Sequence, residues 1–220
     1  EFRHQRIDSM KAVLAEKYDA VFVGCGAPRG RELDVPGRQE AAANIHIGID
    51  WLTSVAFDHI KSIGKRVVVI GGGNTAMDCC RTSRRLGGDD VKVVVRSGFE
   101  EMKASPWEKE DAMNEGIPIF NYLVPKEFTH DKGKLTGIVF EKVKAEYDAK
   151  GRRSLVPTGE PEQFFECDDV LVAIGELLEL GTIENRGDPR HPRLFVPPSS
   201  DGEGQNLPSR GESLDTGKWV

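Results

Sequence analysis

The segment KRVVVI at 65–70 runs directly into three glycines, and this junction constrains the fold more than any other feature of the sequence. The valine-rich run has the length and β-branched content of a buried strand. A helical pattern follows to Leu86, glycines end it, and residues 91–95 repeat the buried-strand pattern. Strand, glycine turn, helix and strand within about 30 residues form one βαβ unit. The sequence therefore predicts an α/β fold with a mainly parallel sheet.

The glycines have the spacing G-x-G-x-x-A, after a strand and at the start of a helix, which is the context that makes this motif specific. Gly71 permits the tight turn, Gly73 leaves room for a pyrophosphate, and Ala76 lets the helix pack on the strand. Main-chain N–H groups at the helix start would face the phosphate oxygens. A tight turn without a ligand is the alternative. The candidate residues of this turn are Gly71, Gly72, Gly73, Asn74, Thr75 and Ala76.

Small residues recur along the helix that follows, at i, i+3, i+4 and i+7, which predicts a face that packs closely on a sheet. These residues are Ala76, Cys79, Cys80 and Ser83. Adjacent cysteines lack the C-x-x-C spacing of redox motifs. We therefore interpret Cys79 and Cys80 as small buried apolar side chains rather than as a redox pair.

The residue at the end of the second strand distinguishes the nucleotides. NAD-binding proteins usually have an acidic residue there, which binds the ribose 2′-hydroxyl. This sequence has Arg96 and Ser97, with Lys103 nearby, and an arginine binds a 2′-phosphate through two hydrogen bonds. The pattern therefore favours NADP over NAD. Glu100 and Glu101 leave open the alternative that an acid holds a ribose instead.

Composition excludes several classes of function. The formal net charge of −6 argues against nucleic-acid binding through bulk positive charge. The sequence contains no run of 18 apolar residues, so it predicts no membrane span. Its N-terminal residues lack the apolar core of a signal peptide. Four scattered cysteines indicate a reducing compartment, so we expect a cytoplasmic protein. None of the five histidines stands in a metal or nucleophile motif, so we expect no metal site and name no catalytic side chain.

Patterns elsewhere place further elements around this unit. Helices are predicted over 7–17, 48–60 and 106–115, buried strands over 18–24 and 168–174, and a further strand over 117–122. A β-rich insert is predicted over 123–129, 134–147 and 152–167, with a hairpin turn at DKGK. The segment beyond residue 176 is rich in glycine, proline and charge, which predicts disorder.

Four segments together carry a family resemblance. They are YDAVFVGCGAPRGRELDVPG, KRVVVIGGGNTAMDCC, VKVVVRSGFEEMKASPWE and CDDVLVAIGE. In their order and spacing the chain resembles flavin-dependent pyridine-nucleotide oxidoreductases, specifically the small-subunit branch of glutamate synthase. The flavin/NADPH module of dihydropyrimidine dehydrogenase is similar more distantly. The resemblance covers roughly residues 1–176 and ends after Glu176.

The resemblance implies two nested dinucleotide domains. Residues 1–60 would be part of an FAD-binding domain, 61–175 a Rossmann-like NAD(P)H-binding domain of three layers with the β-rich insert, and 176–220 a tail outside the family. Gly24 and Gly26 would approach the flavin. Ala173, Ile174 and Gly175 would return towards the nicotinamide. The glycine fingerprint that holds the FAD pyrophosphate in the family has no counterpart here, so the FAD site is expected to be incomplete in this chain.

The function implied by the resemblance is that of an FAD-dependent NAD(P)H oxidoreductase. NADPH would pass a hydride to FAD, and electrons would leave to a large or electron-accepting partner subunit. The cofactors carry such chemistry while the protein positions them. One alternative is a partial chain without activity alone, which binds nucleotide weakly or only assembles with a partner. A methyltransferase with a Rossmann-like fold is another, and Arg96 argues against it because those enzymes usually place an acid there.

Overall fold

The structure is a computed structural model that describes residues 2–5, 7, 9–16, 18–22, 24, 29–148 and 150–177. The chain divides into two compact units, Glu1–Pro28 with Leu178–Val220, and Arg29–Leu177. The predicted tail, beyond its first two residues, lies outside the described residues.

The first unit contains helix α1 (Met10–Ala15), which falls within the predicted helix over 7–17. The buried strand predicted over 18–24 is wrong for the described residues of that segment, which form no strand. Phe22 and Tyr18 are exposed rather than buried. An apolar run becomes a strand only where a neighbouring strand satisfies its backbone hydrogen bonds, and the run itself does not supply that neighbour.

The second unit holds the predicted βαβ segment and the β-rich insert. Its helices are α2 (Gly48–Ala56), α3 (Asn74–Arg85) and α4 (Pro106–Asn114), with short 3₁₀ turns at Ala42–Asn44 and Phe99–Glu101. Its strands are β1 (Arg29–Gly30), β2 (Ile45–Ile47), β3 (Arg66–Ile70), β4 (Asp90–Val94), β5 (Ile119–Phe120), β6 (Leu123–Asp131), β7 (Lys134–Tyr147), β8 (Arg153–Pro157), β9 (Gln163–Glu166), β10 (Asp169–Val172) and β11 (Glu176–Leu177). The predicted β-rich segment over 152–167 contains two strands, β8 and β9.

Five parallel strands form the central sheet, in the order β2-β10-β3-β4-β5. The chain moves from β3 to β4 on one side, and β10 later pairs with β3 on the other. The strand order therefore reverses at β3, and in open α/β sheets such a reversal places a ligand-binding crevice outside the carboxyl ends of the two strands, here β3 and β10.

Side chains alternate across this sheet and give it two apolar faces. On β3, Val67 and Val69 join a core with α2, α3 and α4, whereas Val68 and Ile70 join a second core on the opposite face. The insert covers that second face with Phe128, Phe140 and other buried residues. Helices, parallel sheet and insert are thus three layers, and the predicted Rossmann-like α/β class is confirmed.

The small-residue face of α3 packs as predicted. Ala76, Cys79, Cys80 and Ser83 are fully buried, in the layer between helix and sheet. Burial raises the pKa of the Cys80 thiol to about 12 and raises the pKa of Cys79 as well. Both thiols are therefore protonated and unreactive near neutral pH, as expected for packing residues.

The insert is an antiparallel sheet with β7 at its centre, paired to β6, β8 and β9. Its predicted hairpin turn is confirmed between Asp131 and Lys134. The two turn residues, Lys132 and Gly133, both have positive φ angles, as tight two-residue hairpins require.

The segment before residue 61 contributes to the central sheet and to its helical face. β2 pairs with β10 in the central sheet, and α2 packs on the same apolar face as α3. Residues 29–60 therefore belong to the same compact unit as residues 61–177.

Candidate functional site

The glycine turn, residues 71–73, lies at the carboxyl end of β3, beside the end of β10. Gly71 has a φ angle of +140°, and a Cβ atom there would lie 2.0 Å from the carbonyl oxygen of Ala173. Its N–H donates to the carbonyl of Val94 at 3.0 Å. Only glycine allows this close approach. Gly71 therefore brings the carboxyl ends of β3, β4 and β10 together at the crevice.

Gly73 differs from its neighbours in facing open space. A Cβ atom on Gly72 would contact Val95 and Met102, whereas a Cβ atom on Gly73 would meet nothing within 4 Å. Gly73 is also the N-cap of α3, which has no side-chain cap and no acidic residue in its first turn. The turn therefore leaves room beside the positive end of a 12-residue helix, which fits the pyrophosphate of a dinucleotide.

The side chains of Asn74 and Thr75 make further contacts at the start of α3, directly after this turn. The Asn74 Oδ1 atom accepts a hydrogen bond from the N–H of Ser105 at 2.8 Å. The Thr75 hydroxyl donates to the Glu176 carboxylate at 2.6 Å. These side chains connect the start of α3 to the segments before α4 and after β10. Sequence reasoning did not single out Glu176, although it directly follows the quoted Ala-Ile-Gly segment.

The loop after β4, residues 96–103, runs along the same edge of the sheet. Val94 pairs with Ile70, so Arg96 leaves β4 beside the glycine turn. Arg96 and Lys103 are exposed and Ser97 is half-buried. The N–H of Ala104 donates to the carbonyl of Gly72 at 2.9 Å, which brings the residue after Lys103 back to the turn. The fold thus brings the predicted phosphate-binding residues to the edge where the turn lies.

The two acidic residues of this loop have different roles in the structure. Glu100 is exposed. The Glu101 carboxylate accepts hydrogen bonds from the N–H of Gly98 at 2.7 Å and from Tyr147 at 3.1 Å, and it pairs with Arg153. These contacts lower the pKa of Glu101, with the Gly98 hydrogen bond as the largest cause. Glu101 is therefore ionised at neutral pH and engaged in the protein's own contacts.

The return segment Ala173–Gly175 leaves β10 at the other side of the crevice. Ala173 is buried and its N–H donates to the carbonyl of Ile70 at 2.8 Å. Ile174 is 39% exposed, so an apolar side chain lies open beside the crevice. Gly175 has a φ angle of +122°, and its carbonyl accepts a hydrogen bond from the N–H of Arg31. Arg31 is a second neighbour of the crevice that sequence reasoning did not single out.

Two further sequence candidates, Gly24 and Gly26, lie outside the compact unit that contains this turn. Gly24 is exposed and lies in the first compact unit, and Gly26 lies outside the described residues.

Over the residues described, no group of three or more His, Cys, Asp or Glu is arranged to hold a metal ion. Among the helices that the structure describes, none is long and apolar enough to cross a bilayer.

A family model described as pyridine nucleotide-disulphide oxidoreductase matches residues 4–186, most of the chain. The chain belongs to this family. The match extends ten residues past Glu176, where the resemblance read from the sequence ended.

Two curated relatives are similar to this chain over most of its length. The chain is 36% identical over 183 residues to NADP(+)-dependent formate dehydrogenase subunit beta of Moorella thermoacetica, covering 82% of this chain and 26% of that protein. It is 32% identical over 181 residues to glutamate synthase [NADPH] small chain of Azospirillum brasilense, covering 76% of this chain and 37% of that protein. The resemblance to the glutamate synthase small subunit is thereby confirmed. The chain therefore spans well under half the length of either relative.

A solved structure supports the fold. FprA of Mycobacterium tuberculosis in complex with NADPH superimposes with a TM-score of 0.57 at 21% identity, over 75% of this chain and 52% of that one. This likeness confirms the Rossmann-like architecture.

Proposed function

We propose that this chain is the NADPH-binding part of a flavin-dependent oxidoreductase, in which a hydride passes from NADPH to FAD for onward electron transfer. The observation that carries the proposal is the open space at Gly73, beside an uncapped helix start in the crevice between β3 and β10. The names of the two curated relatives, which specify NADP(+) and NADPH, favour the same nucleotide.

Each part of the crevice suits one part of the nucleotide. Main-chain N–H groups at the start of α3 would bind the pyrophosphate beside Gly73. Arg96 and Ser97, with Lys103, would bind the 2′-phosphate at the end of β4, where an NAD-specific protein would have an acid. Residues 173–175 would border the nicotinamide. When bound, the nicotinamide and the flavin supply the redox chemistry, and this chain positions and orients the nucleotide.

We assign one dinucleotide site to the described residues, at the turn after β3. In the described ranges, the turn after β3 is the only glycine turn of its kind between a strand and a helix. This observation favours a second candidate, a chain that binds NADPH but needs further residues for flavin reduction. A large or electron-accepting partner subunit is part of the proposal, because both curated relatives are named as subunits of larger enzymes.

Titration calorimetry of the purified chain with NADPH and NADH tests nucleotide binding. Arg96→Ala should weaken NADPH binding by about 1–3 kcal/mol, as expected for a charge-assisted hydrogen bond, and leave NADH nearly unchanged. Arg85→Ala, which removes the same charge from an exposed site in the last turn of α3, is the matched control. Equal losses for both nucleotides would exclude a 2′-phosphate role for Arg96.

Gly73→Ala tests the pyrophosphate site separately. The added methyl group would enter the space that we assign to the pyrophosphate, so both nucleotides should bind more weakly by a similar factor. NADPH oxidation with added FAD and an artificial electron acceptor then separates the two candidates. Turnover supports hydride transfer by this chain, whereas binding without turnover supports the second candidate.

A further inference from the structure

The β4 loop is anchored by residues that come from the β-rich insert and from its junction with the sheet. The Glu101 Oε1 atom accepts a hydrogen bond from the Tyr147 hydroxyl at 3.1 Å and lies 3.2 Å from Nε of Arg153. The Oε2 atom accepts hydrogen bonds from Arg153 Nη2 at 3.2 Å and from the Tyr122 hydroxyl at 3.4 Å. We name Glu101, Tyr122, Tyr147 and Arg153 the Glu101 cluster.

Tyr122 has a backbone conformation that is unfavourable for an aromatic residue. Its φ angle is +57°, in the left-handed region that bulky side chains rarely adopt. Main-chain hydrogen bonds hold it there. The Tyr122 N–H donates to the Ser97 carbonyl at 3.3 Å, and the Tyr122 carbonyl accepts from the Val143 N–H at 2.9 Å. Strained residues of this kind concentrate at sites where function depends on geometry.

The strained backbone brings the tyrosine side chain against the loop. A Cβ atom on Gly98 would lie 2.6 Å from the Tyr122 hydroxyl oxygen, so the hydroxyl occupies the space beside that glycine. The carbonyl of Ser97 also accepts a hydrogen bond from the Asn121 side chain at 2.9 Å. The backbone of Ser97 and Gly98, directly after Arg96, is therefore held by residues 121 and 122 and by Glu101.

We infer that Glu101 is a positioning residue for NADPH specificity, which acts by fixing the backbone after Arg96 through contacts supplied by the insert. This inference rests on the proposed function. The insert is then part of the nucleotide site as well as a cover for the sheet. Arg153 has a second effect, because its positive charge offsets the Glu101 carboxylate, which would otherwise repel a 2′-phosphate bound nearby.

The direction in which Glu101→Ala changes NADPH affinity distinguishes a positioning role from a purely electrostatic effect. If Glu101 acted on the nucleotide only through its charge, Glu101→Ala would remove repulsion and strengthen NADPH binding. If Glu101 positions the loop, the same substitution weakens NADPH binding by about tenfold, the equivalent of about one charge-assisted hydrogen bond. NADH, which has no 2′-phosphate, should change by less than about twofold on the same scale.

The experiment is titration calorimetry of the purified chain with both nucleotides, for the unmodified protein and for Glu101→Ala, Glu101→Gln and Glu100→Ala. Glu100→Ala removes an equal charge from an exposed neighbour and should leave the NADPH to NADH ratio unchanged. Glu101→Gln keeps one acceptor oxygen, enough for Gly98 and Tyr122, but loses the ion pair and the acceptor for Tyr147, so it should show an intermediate loss. Thermal unfolding of each variant excludes loss of the fold as the cause.

A double variant tests whether Glu101 acts through Arg96. If Glu101 acts through Arg96, then adding Glu101→Ala to Arg96→Ala should weaken NADPH binding no further. An unmodified chain that binds both nucleotides equally overturns the NADPH preference of the proposed function. A chain that prefers NADPH and keeps that preference in Glu101→Ala, or binds NADPH more tightly, overturns the positioning role alone. Additive losses in the double variant overturn it as well.

Discussion

The glycine turn at residues 71–73 and the β4 loop at residues 96–103 follow neighbouring strands of one sheet, yet they are held in different ways. Main-chain contacts fix the turn, because Gly71 lies against the backbone of Ala173 and bonds to that of Val94. Side chains hold the loop, above all Glu101 with its partners from the insert. The comparison teaches that the phosphate-facing turn relies on main-chain groups of its neighbouring strands, whereas the proposed specificity loop depends on particular side chains of distant residues.

The largest effect is expected at Gly71. Gly71→Ala would place a methyl carbon 2.0 Å from the Ala173 carbonyl oxygen at a φ angle unfavourable for alanine. Relief requires the ends of β3 and β10 to separate, so the free energy of unfolding should fall by about 3 kcal/mol or more. Chemical denaturation measures this loss.

Gly73→Ala is the matched control within the same turn. The added methyl group meets nothing within 4 Å, and the φ angle of −97° suits any residue. The free energy of unfolding should therefore change by less than about 1 kcal/mol, the usual scale for a helix cap. If both variants lost equal stability, the turn would not be fixed by the approach of Gly71 to Ala173.

A smaller effect is expected where α4 supports the β4 loop. The buried Lys109 amine donates to the Phe99 carbonyl at 3.2 Å and lies 4.6 Å from the centre of the Phe99 ring. Lys109→Met keeps most of the apolar volume but removes both contacts, so thermal or chemical denaturation should show a loss of about 1–2 kcal/mol. Lys103→Met, at an exposed site of the same loop, should stay within about 0.5 kcal/mol. An unchanged or more stable Lys109→Met protein would show that side chains do not hold the loop from this side.

The difference between the two segments also explains how far sequence reasoning reached. The motif at Gly71, Gly73 and Ala76 predicted the turn, because glycine conformation and helix packing are local properties. The Glu101 cluster was not predictable in the same way, since Glu101 lies 21, 46 and 52 residues from Tyr122, Tyr147 and Arg153. No periodic pattern connects residues at such separations.

The packing of the insert on the central sheet could not be predicted from the sequence either. The sequence predicted a β-rich insert, and the structure confirms its strands and its hairpin turn. Burial of Phe128 and Phe140 against Val68 and Ile70 depends on where the insert packs, which strand patterns alone do not state. The strand predicted over 18–24 was wrong for the related reason that an apolar run does not specify its neighbour.

The last prediction concerns pH. In the folded chain the pKa of Glu101 is lowered, so the ionised carboxylate is the form that the loop favours. Its contribution is complete above the ordinary glutamate pKa of about 4.3 and is lost as pH falls through the lower folded value. Hydrogen exchange measured by NMR, corrected for the intrinsic rate at each pH, should therefore show Gly98 losing protection below about pH 4.

The Gly71 amide is the internal control in the same spectra. Its N–H donates to the main-chain carbonyl of Val94, which does not titrate, so its protection follows the stability of the fold as a whole. Arg66 lowers the pKa of Asp168 as well, so general acid destabilisation begins in the same window and would lower the protection of both amides together. Earlier loss at Gly98 thus isolates the loop, and Glu101→Gln should lower Gly98 protection already at neutral pH and make it independent of pH down to the general transition. If the two amides lose protection in step, the loop is no less firmly held than the turn, and the distinction between main-chain and side-chain anchoring fails.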